Sequence, residues 1–418
     1  MKKFFKKILI SFLILIFLYS PFCYCDDLND DESIDVNAEI EVITKPTNEI
    51  TVPKINSRSC VVIDRNSNTI LYGKNEHSQK KMASTTKIMT ALVIIENCNL
   101  NETITISKKA ANTGGSRLGL KTGDKITILD LLYGLMLRSG NDAAVALAEY
   151  YGKDVPGFAE KMNAKAKELN LKNTHFETPH GLDSDEHYTT AYELALLTNY
   201  ALKNPTFAKI VGTKNYTITI NGYPRELSNT NELLGNFEGV YGVKTGFTNG
   251  ANRCLVTACK RNNLDIICVV LGADTKKFRT TDSIKLINYI FQNFELVNIQ
   301  KYIDDEFNQW KSVHEKHFFI NKGITSNLDI QMEKLDYPVI PIRKDLKISI
   351  ETSINCKTIF EAPVYNNTEI GNIKISILDN EIANKKIYIN NSIERKSPTF
   401  YFINLIKSYP NIFYNFIK

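Results

Sequence analysis

Apolar and polar positions follow different periods along this chain, and these periods divide it into blocks. Two short β-rich runs at 60–64 and 69–72, separated by a polar Arg-Asn-Ser-Asn turn, predict a hairpin. Helical segments follow at 82–96, 129–137, 142–151, 157–169 and 191–203. Strand-like runs come next, and a helix closes the block, at 240–247, 254–259, 266–271 and 278–294. This order predicts an α+β fold in which helices flank one mixed sheet whose ends are distant in sequence.

From about residue 297 the hydrophobic period becomes two. The runs 346–350, 373–377 and 386–389 alternate apolar and polar positions, as half-buried strands do. Residues 297–392 are therefore predicted to form a small all-β domain that carries no catalytic constellation.

The last residues of the chain, 393–418, are rich in Phe and Ile and contain the cations Lys407 and Lys418. Four apolar residues fall on one helical face, namely Ile412, Phe413, Phe416 and Ile417. This pattern predicts an amphipathic C-terminal membrane anchor. A strand or helix packed on the β domain is the alternative.

The first 25 residues predict a secretory signal peptide. Basic residues at the start precede an uncharged apolar run, 8–20, that is shorter than a membrane-spanning helix requires. The cleavage site near Cys25 is weak, so an uncleaved N-terminal anchor is the alternative. Residues 26–54 are acidic and polar, and they predict a flexible spacer before a larger domain at 55–296.

Composition excludes some functions. The formal net charge is +5, and the four lysines of the signal peptide account for most of it, so nucleic-acid binding has no electrostatic support. No His or Cys cluster has ligand spacing, so no metal site is predicted. Six cysteines follow the signal peptide, mostly in apolar runs, which favours buried free thiols over disulfides: Cys60, Cys98, Cys254, Cys259, Cys268 and Cys356.

Three short motifs occur in one order: Ser84-Thr85-Thr86-Lys87, Ser139-Gly140-Asn141 and Lys244-Thr245-Gly246. Ser84 and Lys87 are one helical turn apart, so the lysine can take the serine proton. A lysine acts as a base only where burial lowers its pKa, and the apolar run 88–92 offers such surroundings. A helix N-terminus would also bring backbone N–H groups close to Ser84, where an oxyanion develops.

The second and third motifs supply the remaining groups for attack on an amide through an acyl-serine. Ser139 can relay protons to the leaving nitrogen, and the NH₂ group of Asn141 can donate to a substrate carbonyl. Lys244 supplies positive charge, Thr245 a hydroxyl, and Gly246 close approach of the backbone to a substrate chain.

Three decoys match the same short patterns, one for each motif. Ser353-Ile354-Asn355 repeats the second motif in the predicted β domain, where it has no partners. Ser78-Gln79-Lys80-Lys81 repeats the first motif in a polar stretch, where its lysine would stay solvated and protonated. Lys121-Thr122-Gly123 repeats the third motif in a turn that precedes Ser139. Environment and order therefore favour Ser84 and Lys244.

In their wider context the motifs resemble those of the penicillin-recognising serine peptidases and β-lactamases. The segments 82–90, 131–144, 180–192 and 244–248 are similar to low-molecular-mass penicillin-binding proteins, the D-alanyl-D-alanine carboxypeptidases. The resemblance covers roughly residues 55–295 and extends more loosely over the β domain and tail. It implies a serine β-lactamase/DD-peptidase-like fold and removal of the terminal D-alanine from peptidoglycan pentapeptide stems, with β-lactams as covalent inhibitors and without a metal or cofactor.

The same resemblance assigns roles to individual residues. Ser84 would be acylated with Lys87 as its base, Ser139 and Asn141 would form the second catalytic element, and Lys244 would steer charge at the reacting centre.

Substrate binding is assigned to other positions. The backbone N–H groups of Ser84 and Phe247 would form the oxyanion hole, and Thr245 and Gly246 would line the site. Arg279 matches a family arginine that binds the terminal carboxylate of the substrate. Thr230 stands where some members have an arginine, so carboxylate binding would rest more heavily on Arg279.

Other functions remain open at this point. A class A β-lactamase needs a glutamate that positions water, and Glu177 lies in the relevant interval without the matching context. A DD-endopeptidase and a non-catalytic wall-binding scaffold are further alternatives. A histidine-based triad is disfavoured because His175, His180 and His187 lie in a polar loop region. The expected location is the outer face of the cytoplasmic membrane or the cell wall.

Overall fold

The computed structural model describes residues 50–378 and 380–408. The predicted signal peptide, most of the acidic spacer and the end of the tail, including Ile412 to Ile417, lie outside the described residues. The chain divides into two compact units between Gln292 and Asn293, close to the division that the change of period indicates.

The first unit mixes strands and helices. Its strands are β1 (Ser59–Asp64), β2 (Ile70–Lys74), β3 (Thr103–Thr105), β4 (Lys125–Thr127), β5 (Asn215–Ile220), β6 (Tyr223–Ser228), β7 (Val240–Thr248), β8 (Asn252–Arg261) and β9 (Leu264–Ala273). Its helices are α1 (Lys87–Asn97), α2 (Lys108–Ala111), α3 (Ile128–Leu137), α4 (Asn141–Gly152), α5 (Val155–Glu168), α6 (Ala191–Ala201), α7 (Pro205–Val211) and α8 (Lys276–Asn293).

The main sheet of this unit is antiparallel and has the order β2-β1-β9-β8-β7. Strand β1 is buried along its whole length and pairs with β2 on one side and β9 on the other. The early hairpin thus completes a sheet whose other strands come much later in the chain, which confirms the predicted α+β arrangement. The sheet was predicted to be mixed, however, and all of its strand pairs are antiparallel. Strand β7, which carries the third motif, lies at one edge.

Helix α1 is the centre of the helical layer. All residues from Lys87 to Ile94 are buried, and α3, α4, α5, α6 and α7 all pack against this helix. A helix buried on every side needs an apolar sequence, which the run 88–95 provides apart from Thr90. Lys87, at the start of this helix, is therefore placed in the interior by the packing of α1.

Side-chain caps fix where several of these helices begin. Thr127 accepts a hydrogen bond from the backbone N–H of Asp130 at the start of α3, and Thr190 accepts one from Glu193 at the start of α6. The helices predicted at 129–137 and 191–203 are confirmed close to these bounds. The hairpins β3–β4 and β5–β6 were not predicted. Strands β3 and β4 have only three residues each and β6 is largely exposed, although β5 alternates apolar and polar residues as a half-buried strand does.

The second unit is rich in strands, as predicted, and the runs 373–377 and 386–389 lie in two paired long strands. Its strands are β10 (Phe294–Asn298), β11 (Phe319–Asn321), β12 (Ile330–Met332), β13 (Val339–Arg343), β14 (Ile350–Cys356), β15 (Ile359–Glu361), β16 (Thr368–Ile377) and β17 (Asn380–Ile389). The strand predicted at 346–350 is wrong, since Lys344–Ser349 forms a 3₁₀ segment and the alternating strand begins at Ile350.

This unit also contains helices. Helix α9 (Ile299–His314) was not predicted, although Ile299, Ile303 and Phe307 recur at helical spacing and are its buried residues. Helix α10 (Pro398–Ser408) lies within the predicted tail and has no buried residue. Among the described residues, no helix is both long enough and apolar enough to cross a membrane.

Candidate active site

Ser84 lies in a buried 3₁₀ turn, Ala83–Thr86, that leads into α1; we name it the nucleophile turn. Ala83 has a φ of +47°, a left-handed conformation that costs a non-glycine residue about 1–2 kcal/mol. Side-chain hydroxyls close the turn: Thr85 Oγ1 donates to the Met82 carbonyl at 2.6 Å and Thr86 Oγ1 to the Ala83 carbonyl at 2.8 Å. The Ser84 side chain is thereby held in a fixed, almost buried position, 7% exposed.

Lys87 connects the first two motifs. Its Nζ donates to Ser84 Oγ at 2.7 Å, to Asn141 Oδ1 at 2.7 Å and to the His180 carbonyl at 2.9 Å. Lys87 has no solvent exposure. These contacts place the lysine nitrogen where it can receive the serine proton, as the spacing of the motif predicts.

Asn141 is oriented from both ends of its amide. Its Oδ1 accepts from Lys87, while its Nδ2 donates to the Gly114 carbonyl at 2.8 Å. Its backbone N–H donates to the Ser116 carbonyl at 2.8 Å. In the structure Asn141 therefore holds the lysine, a role that its predicted contact with the substrate did not include.

Ser139 lies between α3 and α4 with a φ of +58°, so the second motif contains a left-handed residue, whereas in the first the left-handed residue, Ala83, directly precedes the motif. Asp142, which directly follows Asn141, is fully buried. It fixes the loop 114–120, which also contacts Asn141. Its carboxylate accepts from the backbone N–H groups of Leu118 at 2.8 Å, Gly119 at 2.7 Å and Leu120 at 3.0 Å. Sequence reasoning missed this role, for which the only signal is an acidic residue at a helix start.

The third motif reaches the nucleophile turn through Gly246. A methyl group at Gly246 would lie 3.1 Å from the Ser84 nitrogen and 3.2 Å from the Ala83 Cβ, so a side chain here would crowd the nucleophile turn. Lys244 is buried, and its Nζ donates to the Thr245 carbonyl at 3.0 Å. The three motifs therefore meet around Ser84.

Thr230 joins the second and third motifs. Its backbone N–H donates to the Leu137 carbonyl at 3.1 Å, and its hydroxyl lies 2.9 Å from the Thr245 hydroxyl. Next to this contact, Phe247 is half-buried, and the Arg253 guanidinium lies 3.7 Å from the centre of its ring. Thr230 thus braces the strand that carries Lys244.

Arg279 has a different environment from the one its predicted role suggests. It is fully buried in α8, and its Nη2 lies 2.7 Å from Glu232 Oε2. The other oxygen of Glu232 lies 2.9 Å from Lys276 Nζ. Because this guanidinium is closed to solvent and has an ionic partner, carboxylate binding by Arg279 stays a prediction.

The histidine loop, residues 174–190, packs on the nucleophile turn. The histidines do lie in a polar loop, as the sequence predicts, but His180 and His187 are buried in it. Burial, and after it the neighbouring Lys87, lowers the pKa of His180 to about 3. Burial, and after it His175, lowers the pKa of His187 to about 4. Bases this weak do not favour a histidine triad.

The structure also describes the residues behind three further expectations: the glutamate of a class A β-lactamase, a metal site and the state of the cysteines. The carboxylate of Glu177 accepts a hydrogen bond from the Ser184 hydroxyl. In residues 50–378 and 380–408, no group of three or more His, Cys, Asp or Glu residues could hold a metal ion. The six cysteines of this part of the chain are free thiols.

Comparison with known proteins agrees with this geometry. A family model described as D-alanyl-D-alanine carboxypeptidase matches residues 46–275. The D-alanyl-D-alanine carboxypeptidase DacF of Bacillus subtilis is 39% identical over 245 residues, which are 57% of this chain and 63% of the relative. DacD of Escherichia coli, a protein of the same description, is 33% identical over 344 residues, which are 79% of this chain and 85% of the relative.

Solved structures give the same result. Penicillin binding protein 5 from Haemophilus influenzae superposes with a TM-score of 0.66 at 27% sequence identity. The superposition covers 83% of this chain and 100% of that one, so it extends beyond the unit that carries the three motifs.

Proposed function

The chain belongs to the D-alanyl-D-alanine carboxypeptidase family of serine peptidases, and from this premise we propose that it forms its acyl intermediate on Ser84. Members of the family act on peptidoglycan stems that end in D-Ala-D-Ala, which implies an extracytoplasmic location. The observation that carries the proposal is the 2.7 Å contact between Lys87 Nζ and Ser84 Oγ inside a buried site.

In the acylation step, neutral Lys87 donates its two N–H groups to Asn141 and the His180 carbonyl, and its lone pair takes the Ser84 proton as Oγ attacks the carbonyl carbon of the penultimate D-alanine. The backbone N–H groups of Ser84 and Phe247 stabilise the resulting oxyanion. Support for this placement comes from Gly246, which brings β7 against the backbone of the nucleophile turn.

Acylation ends when the tetrahedral intermediate collapses: the C–N bond breaks, and the terminal D-alanine leaves as its nitrogen takes the proton that Ser139 relays from Lys87. Water then hydrolyses the acyl-Ser84 ester and releases the shortened stem. Lys244 supplies positive charge beside the reacting carbonyl, and Thr245 offers a hydroxyl to the substrate. Arg279 is our candidate for the substrate carboxylate, a role that requires it to exchange its contact with Glu232.

We also propose a division of labour along the chain, with residues 55–296 as the catalytic domain and 297–392 as a strand-rich spacer. Helix α10 would begin a membrane anchor on the outer face of the cytoplasmic membrane. The support is its surface: Phe400, Tyr401, Phe402, Ile403 and Leu405 are 38–56% exposed. Apolar side chains exposed together in this way are typical of interaction surfaces.

The direct test is the mass of the intact protein after incubation with penicillin, together with release of D-alanine from a stem pentapeptide. Wild type should hold one penicillin adduct and release D-alanine, and Ser84→Ala should do neither. Ser78→Ala is the matched control, because Ser78 also stands three residues before a lysine but is exposed. It should behave as wild type.

Other outcomes would contradict the proposal in different ways. Rapid loss of penicillin without a persistent adduct indicates a β-lactamase, and unchanged drug with no release of D-alanine indicates a scaffold. Cleavage of crosslinked stems in preference to pentapeptides indicates a DD-endopeptidase.

A further inference from the structure

A buried histidine that the reaction does not use contacts the nucleophile turn. His187 Nε2 lies 2.7 Å from Thr86 Oγ1. The single hydroxyl proton of Thr86 is donated to the Ala83 carbonyl at 2.8 Å. Thr86 Oγ1 must therefore accept from His187, which requires the proton of the imidazole to be on Nε2.

The other side of the imidazole is consistent with the same tautomer. His187 Nδ1 accepts from the backbone N–H of Glu177 at 3.0 Å and of Thr178 at 3.4 Å. Both ring nitrogens thus have partners that suit a neutral ring, which agrees with the lowered pKa of His187. The ionisable groups that act on it are His175, His180, Asp183 and Lys87.

The carbonyl that receives this chain of hydrogen bonds belongs to the strained residue. Ala83 has a φ of +47° and directly precedes Ser84. Gly181 of the histidine loop packs so closely on the same carbonyl that a methyl group there would overlap it. The histidine loop therefore constrains the Ala83 carbonyl in two ways: by the hydrogen bonds from His187 through Thr86, and by the close packing of Gly181.

We infer that His187 is a positioning residue, which holds Ser84 in its reactive orientation through Thr86 and the Ala83 carbonyl. The inference rests on the proposed role of Ser84 and adds a role for a residue that does not touch the substrate. An orientation error of about 1 Å in a reacting group costs up to about 100-fold in rate. Loss of the hydrogen bonds from His187 to Thr86 and from Thr86 to the Ala83 carbonyl should therefore reduce the rate of acylation more than it reduces the affinity for substrate.

The test uses the acylation rate with a fluorescent penicillin, the KM and kcat for a stem pentapeptide, and the melting temperature. Thr86→Val keeps the shape and removes the hydroxyl, and we expect acylation and kcat to fall about 10- to 100-fold with little change in KM. His187→Ala should have a similar effect, and the double variant should be no slower than the slower single variant. Thr86→Ser, which keeps the hydroxyl, should restore most of the rate.

Thr198→Val is the matched control for burial, since Thr198 is a buried threonine whose hydroxyl donates to the Leu194 carbonyl at 2.7 Å. It should lower the melting temperature without changing acylation. The inference is overturned if Thr86→Val acylates at the wild-type rate, or if Thr86→Val and Thr198→Val lose acylation equally. Ser84→Ala tests the proposed function separately from the role of His187, because acylation of that variant would contradict the proposed role of Ser84 itself.

Discussion

The residues in and around the candidate site differ in how much of their environment could be predicted from sequence. The three-residue spacing of Ser84 and Lys87 is a local property, and the structure gives the contact that this spacing predicts. The burial of His187 and the ionic partner of Arg279 depend on residues far away in the chain, and no local pattern reports them. The Glu232 contact is the reason that the role of Arg279 stays a prediction.

At the scale of single residues, Gly181→Ala should be severely destabilising. Gly181 has a φ of +87°, and an added methyl group would overlap the Ala83 carbonyl oxygen. Left-handed strain and overpacking together should cost about 3 kcal/mol of unfolding free energy, measured by denaturant titration. Gly222→Ala is the matched control, because Gly222 has a φ of +82° and no atom of the described residues lies within 4 Å of its new methyl. Equal losses in the two variants would contradict the proposed overlap.

The lowered pKa of His187 predicts a pH dependence of stability. Its folded pKa of about 4 lies below the usual 6.5, so the unfolded chain binds the proton more tightly. Stability from this group is complete above about pH 6.5 and falls as the pH drops towards 4, by about 3 kcal/mol. Unfolding free energies between pH 7 and 4 measure the slope.

The control for this slope is the exposed His77. His187→Gln should flatten part of the pH dependence between pH 6.5 and 4, whereas His77→Gln should leave it as in wild type. An unchanged slope in His187→Gln would show that the histidine does not stay neutral in the folded protein.

At the scale of elements, the sequence predicted the fully buried strands and helices best. The fully buried strand β1 and the buried helix α1 have strong apolar patterns, and the sequence predicts both. Strand β5 alternates apolar and polar residues, with Tyr216, Ile218 and Ile220 on one face, but its partner β6 is largely exposed and has no such period, so the hairpin was missed. Helix α9 was missed although its signal is present in the sequence: Ile299, Ile303 and Phe307 recur at helical spacing, and Trp310 continues the same face.

The loop that Asp142 holds makes a prediction at this scale. Asp142→Asn replaces one acceptor oxygen by a donor NH₂ group, which cannot accept from the N–H groups of residues 118–120. We expect a loss of about 1–3 kcal/mol in stability and slower acylation, because the same loop supports Asn141. Thermal unfolding and acylation by a fluorescent penicillin measure the two effects.

Asp154→Asn provides the comparison for that loss. Asp154 caps α5 by accepting from the Gly157 backbone N–H at 2.7 Å, and asparagine caps a helix about as well as aspartate does. This variant should stay close to wild type. If Asp142→Asn is equally mild, the loop does not depend on the carboxylate.

At the scale of the whole molecule, the helix α10 should control partition between solution and membrane without affecting chemistry. A chain that ends at Ser397 lacks the exposed aromatic and aliphatic residues of this helix, so it should sediment poorly with lipid vesicles. Its kcat/KM on a soluble pentapeptide should equal that of the longer chain, because Ser84, Lys87 and Asn141 all lie in the first unit.

Substitutions test whether the exposed apolar side chains of α10, rather than the helix as a whole, bind the membrane. Phe400→Ser with Phe402→Ser should reduce vesicle binding at least tenfold, since burial of two aromatic side chains is worth several kcal/mol. Tyr223→Ser removes an aromatic side chain that is 76% exposed in the first unit, and it should bind vesicles as wild type does. Ser84, Lys87 and Asn141 all lie in the first unit. A loss of vesicle binding at unchanged kcat/KM would therefore show that α10 determines where the protein is located and does not affect catalysis. Undiminished vesicle binding by the chain that ends at Ser397 would show that the membrane contact lies elsewhere.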